Sequence, residues 1–352
     1  MHWWVGNVLR SAYYYQKAWG FRIVGYKGLE TGSREVVSMV LEQGKIKLVL
    51  SAPLVPDGPG NAFLNRHGEG VRDVAFLTDN AEAAFQDSVG HGAEAVRNPT
   101  TIEDEHGSVR LASIKAYDDV MHTFVDLGDY TGPFLPGYGE WPAPHIAESD
   151  SGLVAIDHIV HNMPGGGMQD QVQFYQDTLG FHRFWSVDDK DVSTEYSSLR
   201  SIVVANENLT VKMPVNEPAE GLKKSQIQEF IDYNIDAGVQ HMAMLTKDIV
   251  KTISTLKANG IDFLTVPDAY YAELPDRVGQ IEENMETLRS LGILVDRDED
   301  GYLLQLFTKP IQDRPTFFFE VIQRKGSQSF GKGNFKALFE SMERDQERRG
   351  NL

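Results

Sequence analysis

The stretch FYQDTLGFHRFWS (residues 174–186) has a close counterpart in YYQKAWGFRIVGY (residues 14–26). Each begins as the apolar end of a predicted helix, passes through Gly-Phe and enters a predicted strand. A second pair follows in the same order, GEGVRDVAFLTDN (68–80) and DAGVQHMAMLTKD (236–248), and each member leads into a helix that ends in glycine. Repeats of this length usually mark duplicated domains. The sequence therefore predicts two copies of one structural unit.

The order of elements within each copy predicts the fold class. Each copy contains a strand, a helix and then several short strands with alternating apolar residues, as in YSSLRSIVVANENLTVKM (196–213). We expect an α+β fold with two tandem open β-barrel domains built from βαβββ modules. The stretch at about residues 132–152 is rich in Gly, Pro and Ser and predicts a linker. The predicted domains are therefore 1–140 and 152–352.

The composition is that of a globular protein with room for two domains. The chain has 352 residues, of which 41% are hydrophobic and 24% charged, and its net charge of −18 argues against nucleic acid or an anionic membrane as a partner. It has no cysteine, so any metal must be held by His, Asp and Glu. No stretch approaches the roughly 20 apolar residues of a membrane span, and no signal peptide is recognised. We expect a cytoplasmic protein.

Three potential metal ligands occur on repeat-related strands of the second copy, namely His158, His241 and Glu320. At the places that we align with them, the first copy has Trp3, Asp73 and Asp126. Two histidines and one carboxylate on separate strands are the facial triad of non-haem Fe(II) oxygenases, which leaves three adjacent coordination positions open. The glutamate lies in the apolar stretch FFFEVI (317–322), where an unpaired charge would be costly and a cation would neutralise it.

Structural interpretations of these residues remain open at this point. A histidine in a strand is more often a hydrogen-bonded core residue than a ligand, and Glu320 could instead pair with Arg324 or Lys309. Strand alternation places His161 on the face opposite His158, so these two are not expected to bind one metal. The coincidence of three potential ligands on related strands of one copy favours a metal site there. The first copy is then predicted to be a structural partner.

Two further features are predicted to be structural. His67 and Glu69 have the spacing of another iron-site motif, but they lie in a polar stretch and are expected at the surface. A helix is predicted from Asn334 onward, with Asn334 as its N-cap. Its apolar residues recur at helical spacing and are predicted to pack in the core: Phe335, Leu338, Phe339 and Met342.

Several long segments closely resemble members of the 4-hydroxyphenylpyruvate dioxygenase family. They include IDHIV, AGVQHMAM, MPVNEPAEGLKKSQIQEFIDYN, DRDEDGYLLQLFTKPIQDRPTFFFEVIQR, FGKGNFKALFE and, in the first half, GLETGSREVVSMVLEQGKIKLVLSAPL and FLPGYG. The resemblance implies a vicinal-oxygen-chelate (glyoxalase-like) fold, with Fe(II) held in the second barrel by His158, His241 and Glu320. It also implies conversion of 4-hydroxyphenylpyruvate and O₂ to homogentisate and CO₂ in tyrosine catabolism, through oxidative decarboxylation, ring hydroxylation and side-chain migration.

The same resemblance implies roles for further side chains. Those around the ring hydroxyl would be Ser201, Asn216 and Gln226, and those near the iron and the keto acid would be Gln240 and Gln305. The aromatic walls would be Phe307, Phe318, Phe330 and Phe335. The helix after Asn334 would close the pocket as a lid, and Asn334 itself would contact substrate. Gln226, Gln240 and Gln305 would support the iron-centred chemistry, although alternation along the strand turns Gln240 away from its neighbour His241.

Two alternatives and one departure from the family accompany this interpretation. The family usually has glycine where His161 stands. 4-Hydroxymandelate synthase uses the same substrate and triad, but its pocket tends to have a smaller aliphatic residue where Phe335 stands here. A glyoxalase-type metal-dependent isomerase would need a fourth protein ligand, and none is recognised. Apolar patches on the first domain predict a homodimer or homotetramer.

Overall fold

The computed structural model describes residues 1–141, 150–187, 198–219 and 221–352. The chain forms two compact units, which are Met1–Asp150 with Gln173–Phe181 and Ser151–Val172 with His182–Leu352. Part of the predicted linker, residues 142–149, lies outside the described residues, as do the first two residues of the predicted strand stretch 196–213.

The first unit contains one mixed sheet and three α-helices among its described residues. Its elements are β1 (His2–Trp4), α1 (Val8–Tyr14), β2 (Arg22–Lys27), β3 (Val36–Gln43), β4 (Ile46–Pro53), α2 (Pro59–His67), β5 (Gly70–Asp73), β6 (Phe76–Leu77), α3 (Ala81–Gly90), β7 (Ala95–Asp104), β8 (Gly107–Tyr117) and β9 (Val120–Asp126). A π-helical turn follows α1 at Tyr15–Trp19. The strand order is β2-β3-β4-β1-β5-β9-β8-β7, and β6 pairs with β9.

The second unit repeats this plan with additional helices. Its elements are β10 (Leu153–Asn162), α4 (Met168–Leu179), β11 (His182–Val187), β12 (Ser198–Ala205), β13 (Lys212–Ala219), α5 (Gln226–Asn234), β14 (Gly238–Thr246), α6 (Ile249–Ala258), α7 (Asp268–Val278), α8 (Met285–Leu291), β15 (Leu294–Arg297), β16 (Tyr302–Phe307), β17 (Phe318–Lys325) and α9 (Phe335–Arg349). Helix α4 begins in this unit, and its residues from Gln173 onward belong to the first unit. The strand order is β11-β12-β13-β10-β14-β17-β16-β15.

The two strand orders are the same pattern. In each unit two βαβββ modules contribute four strands apiece, and the modules meet where β1 pairs with β5 and β10 with β14, both antiparallel. The first strand of each module pairs in parallel with the last strand of the same module, as β10 does with β13 and β14 with β17. This confirms the predicted α+β fold of two tandem curled, open β-sheets.

The repeated LTDN and LTKD motifs begin equivalent helices. Asn80 Oδ1 accepts the Ala83 backbone N–H at 2.9 Å at the start of α3. Asp248 Oδ1 accepts the Lys251 backbone N–H at 3.0 Å at the start of α6. A side-chain acceptor at this position satisfies a backbone N–H that the helix leaves without a partner. The duplicated sequence is therefore explained by a duplicated strand-to-helix transition.

Strand register corrects the alignment of the two copies in the first strand. His241 on β14 pairs with Val160 on β10. Its counterpart Asp73 on β5 pairs with His2 on β1. Trp3 follows His2, so it corresponds to His161, which follows Val160. It does not correspond to the candidate ligand His158. The predicted alignment is wrong here because strand pairing, and not sequence similarity, sets the register.

The same comparison corrects the carboxylate position. The candidate glutamate of β17 lies two residues after the position that pairs with His241. In β9, Met121 pairs with Asp73, so the equivalent residue is Thr123. The predicted counterpart, Asp126, is wrong. Thr123 donates from its backbone N–H and its hydroxyl to the two oxygens of Asp73, at 3.1 and 2.6 Å, so a hydrogen-bonded pair replaces two of the candidate ligands.

Large apolar side chains fill both units. Trp3, Trp19 and Phe21 are fully buried in the first unit, as are Phe317 and Phe319 in the second. Burial of these side chains gives each unit an apolar core, which stabilises a folded domain. Among the described helices, none combines the length and the apolar character needed to cross a membrane.

Candidate metal centre

A β-bulge precedes each of the two candidate ligand histidines. In the antiparallel register of β10 with β14, Asp157 and Gln240 are each skipped, so each is the extra residue of a bulge. A bulge re-aims the side chains around it. Asp157 Oδ1 lies 2.8 Å from His158 Nδ1, and Gln240 Oε1 lies 2.9 Å from His241 Nδ1. The expectation that alternation turns Gln240 away from the site is therefore wrong, because the bulge breaks the alternation.

These contacts leave the other ring nitrogens free to face a carboxylate. The Nε2 atoms of His158 and His241 lie 3.2 and 3.4 Å from Glu320 Oε2. One potential ligand atom of each residue lies within 4.8 Å of those of the other two. All three side chains are buried. Since the acceptors at Nδ1 favour a proton there, the lone pairs of both Nε2 atoms converge with the carboxylate.

The charges of this cluster follow from burial and partners. Burial opposes ionisation of Glu320, but the neighbouring His158 and His241 hold the pKa of its carboxyl below the ordinary value. Burial lowers the pKa of His241. At His158 burial acts in the same direction, but Glu320 and Asp157 outweigh it and raise the pKa. The cluster therefore presents an anionic oxygen beside two imidazoles.

The structural alternatives for the glutamate are not realised. Arg324 forms its ion pair with Asp157, at 2.8 Å. Lys309 Nζ lies 2.6 Å from Asp262 Oδ2. Each proposed cation therefore faces another carboxylate, and the glutamate faces the two histidines.

The predicted site residues, with one exception, line a single cavity of the second unit. That cavity is lined by the three candidate ligands and by Ser201, Asn216, Gln226, Gln240, Gln305, Phe307, Phe318, Phe330 and Phe335. Its wall also includes residues that the sequence did not single out: Val160, Trp185, Leu199, Val203 and Pro214. Three residues of the stripe that was predicted to pack in the core line it as well: Leu338, Phe339 and Met342. Leu199 and Val203 flank Ser201 at alternate positions of β12, so strand alternation could have identified them. His161 is buried and is not part of the wall.

Asn334 is the exception. Its side chain is fully buried but does not line the cavity. Its Oδ1 accepts hydrogen bonds from the Tyr270 hydroxyl at 2.7 Å and from Arg277 Nη2 at 2.9 Å. Asn334 occupies the predicted N-cap position of α9, but its side chain makes no capping hydrogen bond. Its amide oxygen is held by two donors outside the cavity, and its contact with substrate stays a prediction.

Aromatic rings surround the candidate ligands. The rings of His241 and Phe318 stack with centroids 4.7 Å apart. Phe330 meets His158 edge to face at 5.1 Å. Trp185 lies 5.5 Å from Phe330 and 6.1 Å from Phe335, which is the first residue of α9. The apolar stripe of α9, predicted as core, thus forms part of the cavity wall.

Polar side chains also line the cavity. Ser201 and Asn216 are direct neighbours on β12 and β13. Gln226 is the first residue of α5, and its Oε1 accepts a hydrogen bond from Gln240 Nε2 at 2.6 Å. A cavity with a carboxylate–imidazole cluster, aromatic walls and further polar groups is suited to an aromatic ligand that carries a polar substituent.

A second group of possible ligands lies in the first unit. It contains His67, Asp118 and Asp119. Arg66 Nη1 lies 2.8 and 2.7 Å from the two carboxylates, so a guanidinium already pairs with both. His67 is buried at the end of α2 and packs on Phe63 at 4.6 Å, so the prediction that it lies at the surface is wrong.

Comparison with known proteins identifies relatives of the whole chain. Residues 155–306 match the family model of the Glyoxalase/Bleomycin resistance protein/Dioxygenase superfamily. The chain is 51% identical to 4-hydroxyphenylpyruvate dioxygenase of Xenopus tropicalis over 361 residues, covering 99% of this chain and 91% of that protein. The same-named protein of Dictyostelium discoideum is 48% identical, covering 99% of this chain and 98% of that one.

Solved structures support the same grouping. A variant of 4-hydroxymandelate synthase from Streptomyces coelicolor superposes with a TM-score of 0.87 at 30% identity, covering 98% of this chain and 97% of that one. A fusion protein of a xylose isomerase-like TIM barrel with 4-hydroxyphenylpyruvate dioxygenase superposes with a TM-score of 0.74 at 23% identity, covering 98% of this chain and 51% of that one, which is a likeness of fold alone.

Proposed function

This chain belongs to the 4-hydroxyphenylpyruvate dioxygenase family, and from that premise we propose that it converts 4-hydroxyphenylpyruvate and O₂ to homogentisate and CO₂. The observation that supports this most strongly is the cavity of the second unit. It combines a two-histidine, one-carboxylate cluster with aromatic walls and further polar side chains. A 2-oxo acid with a phenol ring carries the complementary groups at its two ends.

We propose that His158, His241 and Glu320 bind Fe(II). The donor set fits: two imidazole nitrogens and one carboxylate oxygen converge, and each imidazole has a partner at Nδ1 that directs Nε2 toward the ion. An Fe(II) ion bound there would supply a chelation site for the 2-oxo acid and activation of O₂. A dication would also explain why a carboxylate is retained in an apolar strand.

The protein's own groups bind and orient the substrate. Phe318 and Phe330 would hold the ring, since aromatic side chains bury large areas with defined geometry. Ser201, Asn216 and Gln226 would hydrogen-bond the phenol, and Gln240 and Gln305 would lie beside the keto acid. Helix α9 would exclude water through its apolar stripe, which protects the reaction from uncoupled decarboxylation.

A related activity is the second candidate. The likeness to 4-hydroxymandelate synthase, at 30% identity, is weaker than the likeness to the named dioxygenases at 46–51%. Phe335 on the cavity wall also favours homogentisate, because the synthase tends to have a smaller aliphatic residue there. A glyoxalase-type isomerase would require a fourth protein ligand, and the cluster in the described residues contains three.

One assay distinguishes these activities. The protein would be purified without oxygen and loaded with Fe(II), then given 4-hydroxyphenylpyruvate and O₂. We expect O₂ uptake with homogentisate as the product. 4-Hydroxymandelate as the main product would favour the synthase, and no O₂ uptake by the iron-loaded protein would contradict both oxygenase functions.

The remaining proposals concern the whole chain. We propose that the domain at 1–140 is structural and the domain at 152–352 is catalytic. The hydrogen-bonded Asp73–Thr123 pair in place of ligands supports this division. The exposed side chains of Leu9 and Tyr13 on α1 support a homodimer or homotetramer, and light scattering in solution tests it. We propose a cytoplasmic location, in keeping with the acidic, cysteine-free composition.

A further inference from the structure

Arg324 and Asp157 form a buried, two-point ion pair. Arg324 lies on β17 four residues after Glu320. Its Nε donates to Asp157 Oδ2 and its Nη2 to Asp157 Oδ1, each at 2.8 Å. The Arg324 side chain is 12% exposed and that of Asp157 4%. Two parallel charge-assisted hydrogen bonds fix the plane of the carboxylate as well as its charge.

The same carboxylate is tied to a candidate ligand. Asp157 Oδ1 accepts the hydrogen bond from His158 Nδ1 at 2.8 Å. Because Asp157 is the extra residue of a bulge, it can share a side of the strand with its neighbour. Lys212 Nζ lies 3.8 Å from Asp157 Oδ2 and adds a second cation. The orientation of the carboxylate therefore sets the orientation of the imidazole.

The other side of the guanidinium is tied to the cavity wall. Arg324 Nη1 donates to the backbone oxygens of Ser329 at 2.7 Å and Ser327 at 3.2 Å. The guanidinium lies over the ring of Phe330 at 5.5 Å. That ring in turn meets His158 at 5.1 Å. Arg324 thus connects one imidazole to the aromatic residue beside it along two routes.

We propose that Asp157 and Arg324 form a positioning unit, which holds His158 with Nε2 directed at the metal and holds Phe330 against the cavity. This inference rests on the proposed metal-binding function. A hydrogen-bond acceptor at the second ring nitrogen fixes both the tautomer and the ring orientation of a metal-binding histidine. Removing either member would leave the other as an uncompensated buried charge, so the loss of one residue disturbs the whole unit.

The test measures Co(II) affinity of the full, metal-free chain by titration of the Co(II) absorption bands. We expect Asp157→Ala to weaken binding about 10- to 100-fold, the range typical of residues that support a metal ligand. Asp157→Asn keeps an acceptor for His158 Nδ1, so it should recover part of the affinity. Asp157→Asn and Arg324→Met combined should weaken binding less than the product of their separate effects, since they act as one unit.

The control is another carboxylate–arginine pair on the same sheet, in which the Glu217 side chain is buried and that of Arg200 is 44% exposed. Glu217 Oε1 accepts a hydrogen bond from Arg200 Nη1 at 2.9 Å, away from the candidate ligands. Glu217→Gln should lower the melting temperature and leave Co(II) affinity and the absorption bands unchanged. Wild-type affinity in Asp157→Ala would overturn the positioning unit while leaving the triad. A wild-type chain that binds no Co(II), or binds it equally after His241→Ala, would instead overturn the metal site itself, and the unit with it.

Discussion

At the scale of the residue, Glu320 is the charge on which the proposed site depends. It is 2% exposed and its neighbours are two imidazoles, whereas the cations nearest in sequence pair with other carboxylates. Such a buried anion is destabilising unless a partner compensates it. The equivalent position in the first unit is Thr123, which hydrogen-bonds to Asp73 and needs no ion.

Replacing Glu320 by Gln keeps the shape of the side chain and removes its charge. We expect the affinity for Fe(II) to fall by more than the roughly 100-fold that loss of a supporting residue causes. The rate of O₂ uptake should fall with it. The matched control is Asp73→Asn, which alters the equivalent region of the first unit and should retain iron. Metal analysis after equilibrium dialysis measures the iron bound by each variant. Full iron content in Glu320→Gln would refute the assignment of Glu320 as a ligand.

Asp73 itself predicts a pH dependence of stability. Burial raises the pKa of its carboxyl to about 6. A carboxyl whose pKa is higher in the folded protein than in the unfolded chain favours folding when it is protonated, so this contribution is fully present below about pH 4 and is lost as the pH rises to about 6. Asp73→Asn should therefore raise the free energy of unfolding at pH 7, by an amount on the order of 3 kcal/mol.

Urea unfolding of wild type and Asp73→Asn at pH 4 and pH 7 measures this effect. The difference between the two proteins should be small at pH 4 and large at pH 7. An equal difference at both pH values would show that the carboxyl does not titrate as its burial implies.

At the scale of the element, two bulges and one helix shape the cavity. The bulges at Asp157 and Gln240 give each candidate ligand a hydrogen-bond partner at Nδ1. Helix α9 contributes Phe335, Leu338 and Met342 to the cavity wall. Its far end is held to α5, because Arg349 Nη2 lies 2.7 Å from Glu229 Oε2.

Trimming the first residue of α9 should change the product. If Phe335 holds the ring in place, Phe335→Ile should let the benzylic carbon compete, and chromatography should detect 4-hydroxymandelate beside homogentisate. Lys336→Ala, at the exposed next position of the same helix, is the control and should yield homogentisate alone. Homogentisate alone at the wild-type rate from Phe335→Ile would exclude a pocket role for this ring.

Ligand binding should protect α9 against hydrogen exchange. Its last turn is exposed, so it should open more readily than the buried central strands. A substrate analogue that contacts Phe330 and Phe335 binds the closed state preferentially and shifts the equilibrium toward it. Exchange across residues 328–345 should slow with the analogue, while α3 in the first unit stays unchanged. Unaltered exchange in this segment would show that α9 is a fixed part of the cavity wall and not a lid.

At the scale of the whole molecule, the duplicated sequence predicted the duplicated fold because repeated motifs encode repeated strand-to-helix transitions. The three candidate ligands were also identifiable, since ligand types coincide on related strands. The strand register was not identifiable from the sequence. The predicted counterparts Trp3 and Asp126 were each wrong by three residues, because strand pairing depends on contacts distant in sequence. The bulge at Gln240 and the partners of Asn334 were hidden for the same reason.

In the proposed function, the second unit oxidises 4-hydroxyphenylpyruvate with both atoms of O₂. The atom balance requires two new oxygen atoms, because loss of CO₂ removes both oxygens of the original carboxylate. The new carboxylate and the new ring hydroxyl each need one, and one molecule of O₂ can supply both. The direct measurement is mass spectrometry of homogentisate formed by the Fe(II)-loaded protein under dioxygen of the heavy isotope. We predict that each product molecule carries two heavy oxygens, one in the carboxylate and one in the new ring hydroxyl, and that Glu320→Gln forms none. Homogentisate without the label in its new ring hydroxyl, or labelled product at the wild-type rate from Glu320→Gln, would contradict the account.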